Sequence, residues 1–208
     1  MEKVTDVSFS PLENSQYIRP LRINFTQNGV KKNWDLMAVH DSVVIVLFNV
    51  TRKKLIFVKQ FRPAVYYSKI PASERKETID TKKYSPKLGI TLELCAGIVD
   101  KNKSIDEIAR EEILEECGYD VPLNQIHRIL KHCVNPGVLG CGQTFFYAEV
   151  TDDMKVSEGG GVDDELIEVV ELSVDELKAY IHSDEINSPP GFLFGVHWFL
   201  LNKPQYAG

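Results

Sequence analysis

Residues 97–119 read GIVDKNKSIDEIAREEILEECGY, and this stretch decides the fold. Its residues 104–107 (SIDE) form a capping box, which predicts that a helix begins there. A projection at about 100° per residue places Glu112 and Glu116 within about 40° of each other, on the side of Ile105 that continues the apolar stripe. The sequence therefore predicts a helix that carries two carboxylates toward the interior.

Two neighbouring carboxylates inside a protein are costly unless a cation meets them. The predicted helix spans 104–116 and is followed by Gly118, a residue typical of helix ends. The nearby cations are Lys101, Lys103 and Arg110, and Arg110 projects to the far side of the helix. The spacing alone leaves two interpretations open, a network of basic side chains or a divalent ion. Oxygen ligands without His or Cys favour Mg²⁺ or Mn²⁺ over zinc.

Charge is divided unevenly along the 208 residues. Residues 1–90 hold 16 Lys and Arg against 8 Asp and Glu, whereas residues 91–208 hold 8 against 22. We expect the acidic half to bind metal and the basic half to meet an anionic substrate, with a solvated acidic surface as the alternative. The net charge of −6 argues against non-specific nucleic-acid binding.

The chain is expected to be cytoplasmic and to have no membrane partner. No apolar run reaches the roughly 18 residues that a membrane-spanning helix requires. The first ten residues, MEKVTDVSFS, lack the basic-then-apolar pattern of a secretion signal.

Apolar patterning predicts strands on both sides of the central helix. Asn28-Gly29 is a strong hairpin signal, and it joins two predicted strands at 18–27 and 30–38. A continuous apolar run at 42–49 (SVVIVLFN) predicts a buried strand. Further strands are predicted at 54–61, 91–95, 125–133, 143–150 and 165–172, and helices from 173 to 181 and from 192 to 201. The polar stretch 66–89 predicts a mobile surface insertion. Mixed elements without regular βαβ alternation indicate an α+β or α/β sandwich.

The segment from Gly97 to Tyr119 resembles the Nudix box, G-x5-E-x7-R-E-U-x-E-E-x-G-U, in which U is apolar. Gly97 and Glu112 have the separation of that motif, and the closing EE-x-G-U pattern matches as well. Two positions depart from it, because Lys103 stands in place of the first Glu and Glu111 in place of Arg.

The resemblance extends over nearly the whole chain. The strings FRPAVY (61–66), ELCAG (93–97), EECGY (115–119) and FGVHWFL (194–200) are similar to the UDP-sugar diphosphatase branch of Nudix hydrolases. This resemblance implies a Nudix-type α/β/α sandwich with a mixed sheet over 38–208, with an insertion at 66–90. It also implies a small N-terminal antiparallel β region over 1–37 for dimerisation and substrate binding.

The activity that the resemblance implies is hydrolysis of the pyrophosphate bond of UDP-glucose and related nucleoside diphosphate sugars. The products would be UMP and a sugar 1-phosphate. The cofactor would be Mg²⁺, with Mn²⁺ as the alternative, and the assembly would be a homodimer. Hydrolysis of ADP-ribose is one alternative. Another is a nucleotide-sugar sensor without catalysis, which the departures at Lys103 and Glu111 suggest.

The resemblance also assigns roles at the metal site. Glu112 and Glu116 would be metal ligands together with the backbone carbonyl of Ala96. Glu115 would be a further ligand or would orient the others.

Substrate-binding and proton-transfer roles fall outside the box. Glu165 is the expected general base, with Asp164 as its alternative, and the glycines at 159–161 would let their loop close over the substrate. Arg62 is expected to hold a phosphate. Trp34 is expected to stack on the nucleobase across a dimer interface.

Overall fold

The computed structural model describes residues 3–15, 17–162 and 164–207. The predicted regions 1–37 and 38–208 begin and end at Met1 and Gly208, and these two residues are not among those described. The strands are β1 (Arg19–Gln27), β2 (Val30–Ala38), β3 (Ser42–Asn49), β4 (Lys54–Phe61), β5 (Ile90–Glu93), β6 (Cys95–Ile98), β7 (Ile126–Cys133), β8 (Gly142–Val150) and β9 (Glu168–Ser173). The helices are α1 (Pro63–Lys69), α2 (Ile105–Glu112), α3 (Val174–Ile181), α4 (Pro190–Asn202) and α5 (Pro204–Ala207).

A seven-stranded mixed sheet lies at the centre of the protein. Five strands follow the order β5-β4-β3-β8-β7, while β6 pairs with β3 and β9 pairs with β4. The pairing of β3 with β8 is parallel, and the remaining pairs of this sheet are antiparallel. This arrangement brings β6, and with it the start of the Nudix-like segment, next to the most buried strand.

Strand β3 is apolar from Val43 to Phe48, because both of its faces are covered. Val43, Ile45 and Leu47 belong to a core that also contains side chains of α2. The alternate residues of β3 belong to a second core, which includes buried side chains of α3 and α4. Helices therefore cover both sides of the sheet, and the predicted α/β/α sandwich is confirmed.

The hairpin predicted at Asn28-Gly29 is present and stands apart from the central sheet. Strands β1 and β2 form their own antiparallel pair from Arg19↔Ala38 to Gln27↔Val30. Asn28 and Gly29 have φ angles of 52° and 78°, as a type I′ turn requires. The small N-terminal antiparallel sheet is thus confirmed.

The polar stretch 66–89, predicted to be a mobile surface insertion, contains helical structure, and its mobility stays a prediction. Helix α1 covers its beginning, and short 3-10 turns form at Ala72–Glu74 and Pro86–Gly89. Tyr66, Ile70 and Ile79 pack into a small core of their own. The polar composition hid this core because only a few widely spaced apolar residues form it.

Within the described ranges, no helix combines the length and the apolarity that crossing a bilayer requires. The strongly apolar α4 has 13 residues and buries Phe192, Val196 and Phe199 in the second core.

Candidate active site

Helix α2 begins and ends as its sequence predicts. The Ser104 hydroxyl accepts the backbone N–H of Glu107 at 3.3 Å, and the Glu107 carboxylate accepts the backbone N–H of Ser104 at 2.8 Å. The helix continues beyond Glu112 as one wider, π-helical turn, Ile113–Cys117, and ends at Gly118 with a φ of 79°. The predicted helix 104–116 is therefore confirmed, with a widened last turn that carries Glu116.

The glycine run at 159–161 is docked on the end of this helix. The N–H of Gly160 donates to the carbonyl of Glu116 at 2.9 Å, and that of Gly161 donates to the carbonyl of Glu115 at 3.0 Å. A Cβ on Gly159 would lie 2.3 Å from the Glu116 carbonyl oxygen, so only glycine allows this approach. The run satisfies helix-terminal carbonyls by close packing, whereas the sequence had suggested a free hinge.

Glu112 and Glu116 both lie in the interior-facing part of the helix. Glu116 is 4% exposed, and its Oε2 accepts the backbone N–H of Ala96 at 2.9 Å. Burial raises the pKa of Glu116 to about 8, against the effect of that N–H. Burial, with repulsion from Glu115, raises the pKa of Glu112 to about 7. Within the described part of the chain, neither carboxylate has a basic partner within 4 Å.

Gly97 leaves space that the Glu112 carboxylate fills. A Cβ built on Gly97 would lie 2.0 Å from both Cδ and Oε1 of Glu112. Gly97 is on β6, which is paired with β3, so the strand cannot move away without breaking the sheet. Gly97 therefore lets the Glu112 carboxylate lie against the strand, and a larger residue at this position would displace that carboxylate.

We expect Gly97→Ala to lower kcat by about a hundredfold, because the added methyl group must displace the Glu112 carboxylate. Gly137→Ala is the matched control, since a Cβ at Gly137 meets no atom within 4 Å. Steady-state kinetics and thermal unfolding of both variants check this result. A Gly97→Ala enzyme with normal kcat would show that the position of Glu112 is unimportant.

A cleft of about 1000 Å³ opens beside these carboxylates. Among the described residues, five charged side chains line it, namely Arg62, Glu93, Glu112, Glu116 and Glu165. The remaining lining is neutral and includes the polar side chains of Ser42, Gln143 and Asn187. Its volume suits a ligand of nucleotide-sugar size, and its charge requires cations to accompany an anionic ligand.

Glu165 reaches this cleft, whereas its alternative, Asp164, is not among the residues that line it. The backbone N–H of Val162 donates to Oε2 of Glu165 at 3.1 Å. The negative charge of Glu165 adds to the raised pKa of Glu112 and of Glu116, so the three carboxylates are electrostatically coupled. Strand β9 begins three residues later than predicted because 165–167 fold back onto the glycine run.

Arg62 lines the cleft as expected, but part of its hydrogen-bonding capacity is already used. Its Nε and Nη2 donate to the two carboxylate oxygens of Glu93 at 2.8 Å and 2.7 Å. Sequence reasoning missed Glu93. The available signal was an acidic residue at the end of the short buried strand ITLE, where a charge needs a partner.

Trp34 does not line the cleft of its own chain. Its indole N–H donates to the carbonyl of Gly137 at 2.7 Å, and 57% of the residue is exposed. The predicted stacking of Trp34 on a nucleobase would require the cleft of a second copy and stays a prediction.

The two departures from the Nudix box pair with each other. The Lys103 ammonium contacts Oε1 of Glu111, and Lys101 lies 3.3 Å from Oε2 of Glu111. Lys101 also lies 3.8 Å from Glu115, which is at the edge of the cluster outside the cleft lining. Arg110 points away and binds Asp120, as the helical projection indicated. The extra negative charge of Glu111 is therefore neutralised locally.

The residues present fit a hydrated dication better than a closed metal cage. Across the described ranges, no three His, Cys, Asp or Glu side chains converge on one point. Glu116 is buried and Glu112 is half-buried, and neither forms an ion pair with a described basic residue. Mg²⁺ is usually held in this way, by one or two carboxylates, several waters and the phosphates of the substrate. Of the predicted ligands, Ala96 lies against Glu116 through its backbone N–H.

Comparison with known proteins agrees with this geometry. A scan against models of protein families gives no match. The chain is 38% identical to the uridine diphosphate glucose pyrophosphatase of Bos taurus, over 96% of this chain and 95% of that protein, and 37% identical to the Mus musculus enzyme of the same name, over the same shares. It is 30% identical to the GDP-mannose pyrophosphatase of Citrobacter koseri, over 89% of each chain. Together with the α/β/α sandwich and the glutamate-bearing helix, these similarities show that the chain belongs to the nucleotide-sugar pyrophosphatases of the Nudix hydrolase family.

Proposed function

We propose that this protein hydrolyses the pyrophosphate bond of nucleoside diphosphate sugars in a magnesium-dependent reaction, with UDP-glucose as its preferred substrate. The observation that carries the proposal is a pair of carboxylates, the half-buried Glu112 and the buried Glu116, whose pKa values are raised to about 7 and about 8 beside an open cleft. Such a pair is stable at neutral pH only with protons or a dication. A diphosphate substrate brings further negative charge and therefore favours the dication.

The reaction adds water across the P–O–P bond, so that UDP-glucose yields UMP and glucose 1-phosphate. Mg²⁺ held by Glu112, Glu116 and the carbonyl of Ala96 would polarise the phosphoryl oxygens and acidify a water. Glu165, which lines the cleft, takes the proton of the attacking water. Glu115 orients the neighbouring carboxylates from the edge of the site, and Arg62 binds a phosphate oxygen.

The preference for UDP-glucose is supported by the higher identity to the two uridine diphosphate glucose pyrophosphatases than to the GDP-mannose pyrophosphatases. The test is to compare kcat/KM for UDP-glucose, GDP-mannose and ADP-ribose with Mg²⁺ present. We expect UDP-glucose to exceed ADP-ribose by about tenfold or more, which corresponds to one or two well-placed hydrogen bonds to the base. UMP release identifies the bond that is cleaved.

Removal of the metal is the accompanying control. EDTA should abolish UMP release, and added Mg²⁺ or Mn²⁺ should restore it.

Tight binding of UDP-glucose without products would favour the non-catalytic sensor. If kcat/KM is higher for ADP-ribose than for UDP-glucose, ADP-ribose is the preferred substrate. The cytoplasmic location stays a prediction.

We further propose that residues 1–37 form a dimerisation region beside a hydrolase domain at 38–208. The register of β1 and β2 places Leu21, Ile23, Phe25 and Trp34 on one face of the hairpin. These residues are 52%, 50%, 39% and 57% exposed, respectively. The opposite face carries polar side chains, including the ion pair of Arg22 with Asp35. A two-stranded sheet with an exposed apolar face is marginal alone, and a second copy would cover it.

Ile23→Lys should convert the protein to a monomer, because the ammonium would lie in the middle of this apolar face. Asn24→Lys introduces the same side chain on the opposite face and should leave the dimer intact. Sedimentation equilibrium of the two variants and the wild type measures the outcome. A wild-type protein that sediments only as a monomer would remove the dimer proposal.

A further inference from the structure

Arg62 is the one Lys or Arg among the described residues that line the cleft. Its guanidinium is bound by Glu93 through two parallel hydrogen bonds of 2.8 Å and 2.7 Å. The Glu93 side chain is 7% exposed and also accepts the Thr91 hydroxyl at 2.6 Å. Both carboxylate oxygens of Glu93 therefore have a donor, and Arg62 is held in a single orientation.

The paired geometry determines which edge of Arg62 is available. A guanidinium has five N–H donors, and Glu93 takes the one on Nε and one of the two on Nη2. The two donors on Nη1 and the second on Nη2 are not used by Glu93. A phosphate would thus meet the Nη1–Nη2 edge of Arg62, because the Nε–Nη2 fork is occupied.

A guanidinium released from this pair would have competing partners close by. Glu116 and Glu165 line the same cleft as Arg62. After Glu93, their negative charges also contribute to the raised pKa of Arg62. Paired Arg–carboxylate hydrogen bonds are strong and directional. A mobile Arg62 would therefore bind carboxylate oxygens that a dication needs.

We propose that Glu93 is a positioning residue, which presents Arg62 to a substrate phosphate and keeps its guanidinium off the metal-binding carboxylates. This inference rests on the proposed function, since it takes the metal ion and the phosphate to share this cleft. Glu93 is not a metal ligand in this assignment, because Arg62 and Thr91 occupy its oxygens.

The test compares Glu93→Gln with the double variant Glu93→Gln, Arg62→Gln. Mn²⁺ affinity is measured by calorimetry without substrate, and KM and kcat are measured with UDP-glucose. We expect Glu93→Gln to weaken Mn²⁺ binding about fivefold or more and to raise KM about tenfold, roughly the effect of one charged hydrogen bond. In the double variant Mn²⁺ affinity should return to the wild-type value, because the Arg62 guanidinium no longer competes with Mn²⁺. KM should stay high.

A purely structural role for Glu93 would lower the melting temperature without changing Mn²⁺ affinity. Wild-type Mn²⁺ affinity in Glu93→Gln, or a double variant that binds as weakly as the single one, would overturn the proposal. Thr91→Val gives a second route if Glu93→Gln does not fold, since it loosens Glu93 without altering charge and should shift Mn²⁺ affinity in the same direction. Wild-type protein that binds Mn²⁺ yet cleaves no nucleotide sugar would contradict the proposed function instead, and the titrations would still decide the role of Glu93.

Discussion

Glu112→Gln is expected to lower kcat for UDP-glucose by about a hundredfold or more, with the fold intact. The amide has nearly the same shape as the carboxylate, so it fits against Gly97, where the Glu112 carboxylate packs closely. It lacks the charge that holds a dication. Because it also removes a buried carboxylate with a raised pKa, the variant should be at least as stable as the wild type without metal.

Asp106→Asn is the matched control for this experiment. It makes the same change of charge on the same helix, in its first turn and outside the cleft lining. We expect wild-type kcat for Asp106→Asn and a loss of Mn²⁺ affinity only for Glu112→Gln. Near-normal turnover of Glu112→Gln would remove this residue from the mechanism, and unfolding of the variant would be seen in its melting temperature.

Helix α2 was predictable because its signals are local. A capping box, an apolar stripe and a terminal glycine lie within one short segment, and each acts through neighbouring residues. The inward direction of Glu112 and Glu116 followed from helical periodicity alone. The continuous apolar run of β3 likewise predicted a strand that is covered on both faces.

The contacts that complete the site join distant segments and could not be derived from spacing. The partner of Arg62 is Glu93, and the two are brought together by the antiparallel pairing of β4 with β5. The glycine run at 159–161 was predicted to let its loop close over the substrate, and its N–H groups bind the end of the helix that carries Glu115 and Glu116. The small core within the insertion at 66–89 was not predicted, because few apolar residues form it.

The metal-free protein should become less stable as pH rises from about 5 to about 8. Glu112 and Glu116 have pKa values of about 7 and about 8 in the folded state, against 4.5 for an unperturbed glutamate. Between these limits the folded state binds more protons than the unfolded state, so the free energy of unfolding falls with pH. The stabilisation is complete below about pH 4.5 and is lost as pH passes through the folded pKa values. Carboxyl groups with lowered pKa values, such as Glu111, affect the free energy of unfolding at lower pH, where they make it rise with pH.

The loss should be about 3 kcal/mol after allowance for the partial exposure of Glu112, and it should lower the melting temperature by about 5–10 °C. In the proposed function Mg²⁺ or Mn²⁺ binds the deprotonated carboxylates, so a saturating dication should recover most of the loss at pH 8. The double variant Glu112→Gln, Glu116→Gln should show neither the pH-dependent loss nor the recovery, because its amides do not titrate. Thermal melts of both proteins at pH 5 and pH 8, with EDTA or Mn²⁺, provide the measurement. If the wild-type melting temperature in EDTA is the same at both pH values, these carboxylates already have a cation in the metal-free protein. The proposal that they bind a dication would then be wrong.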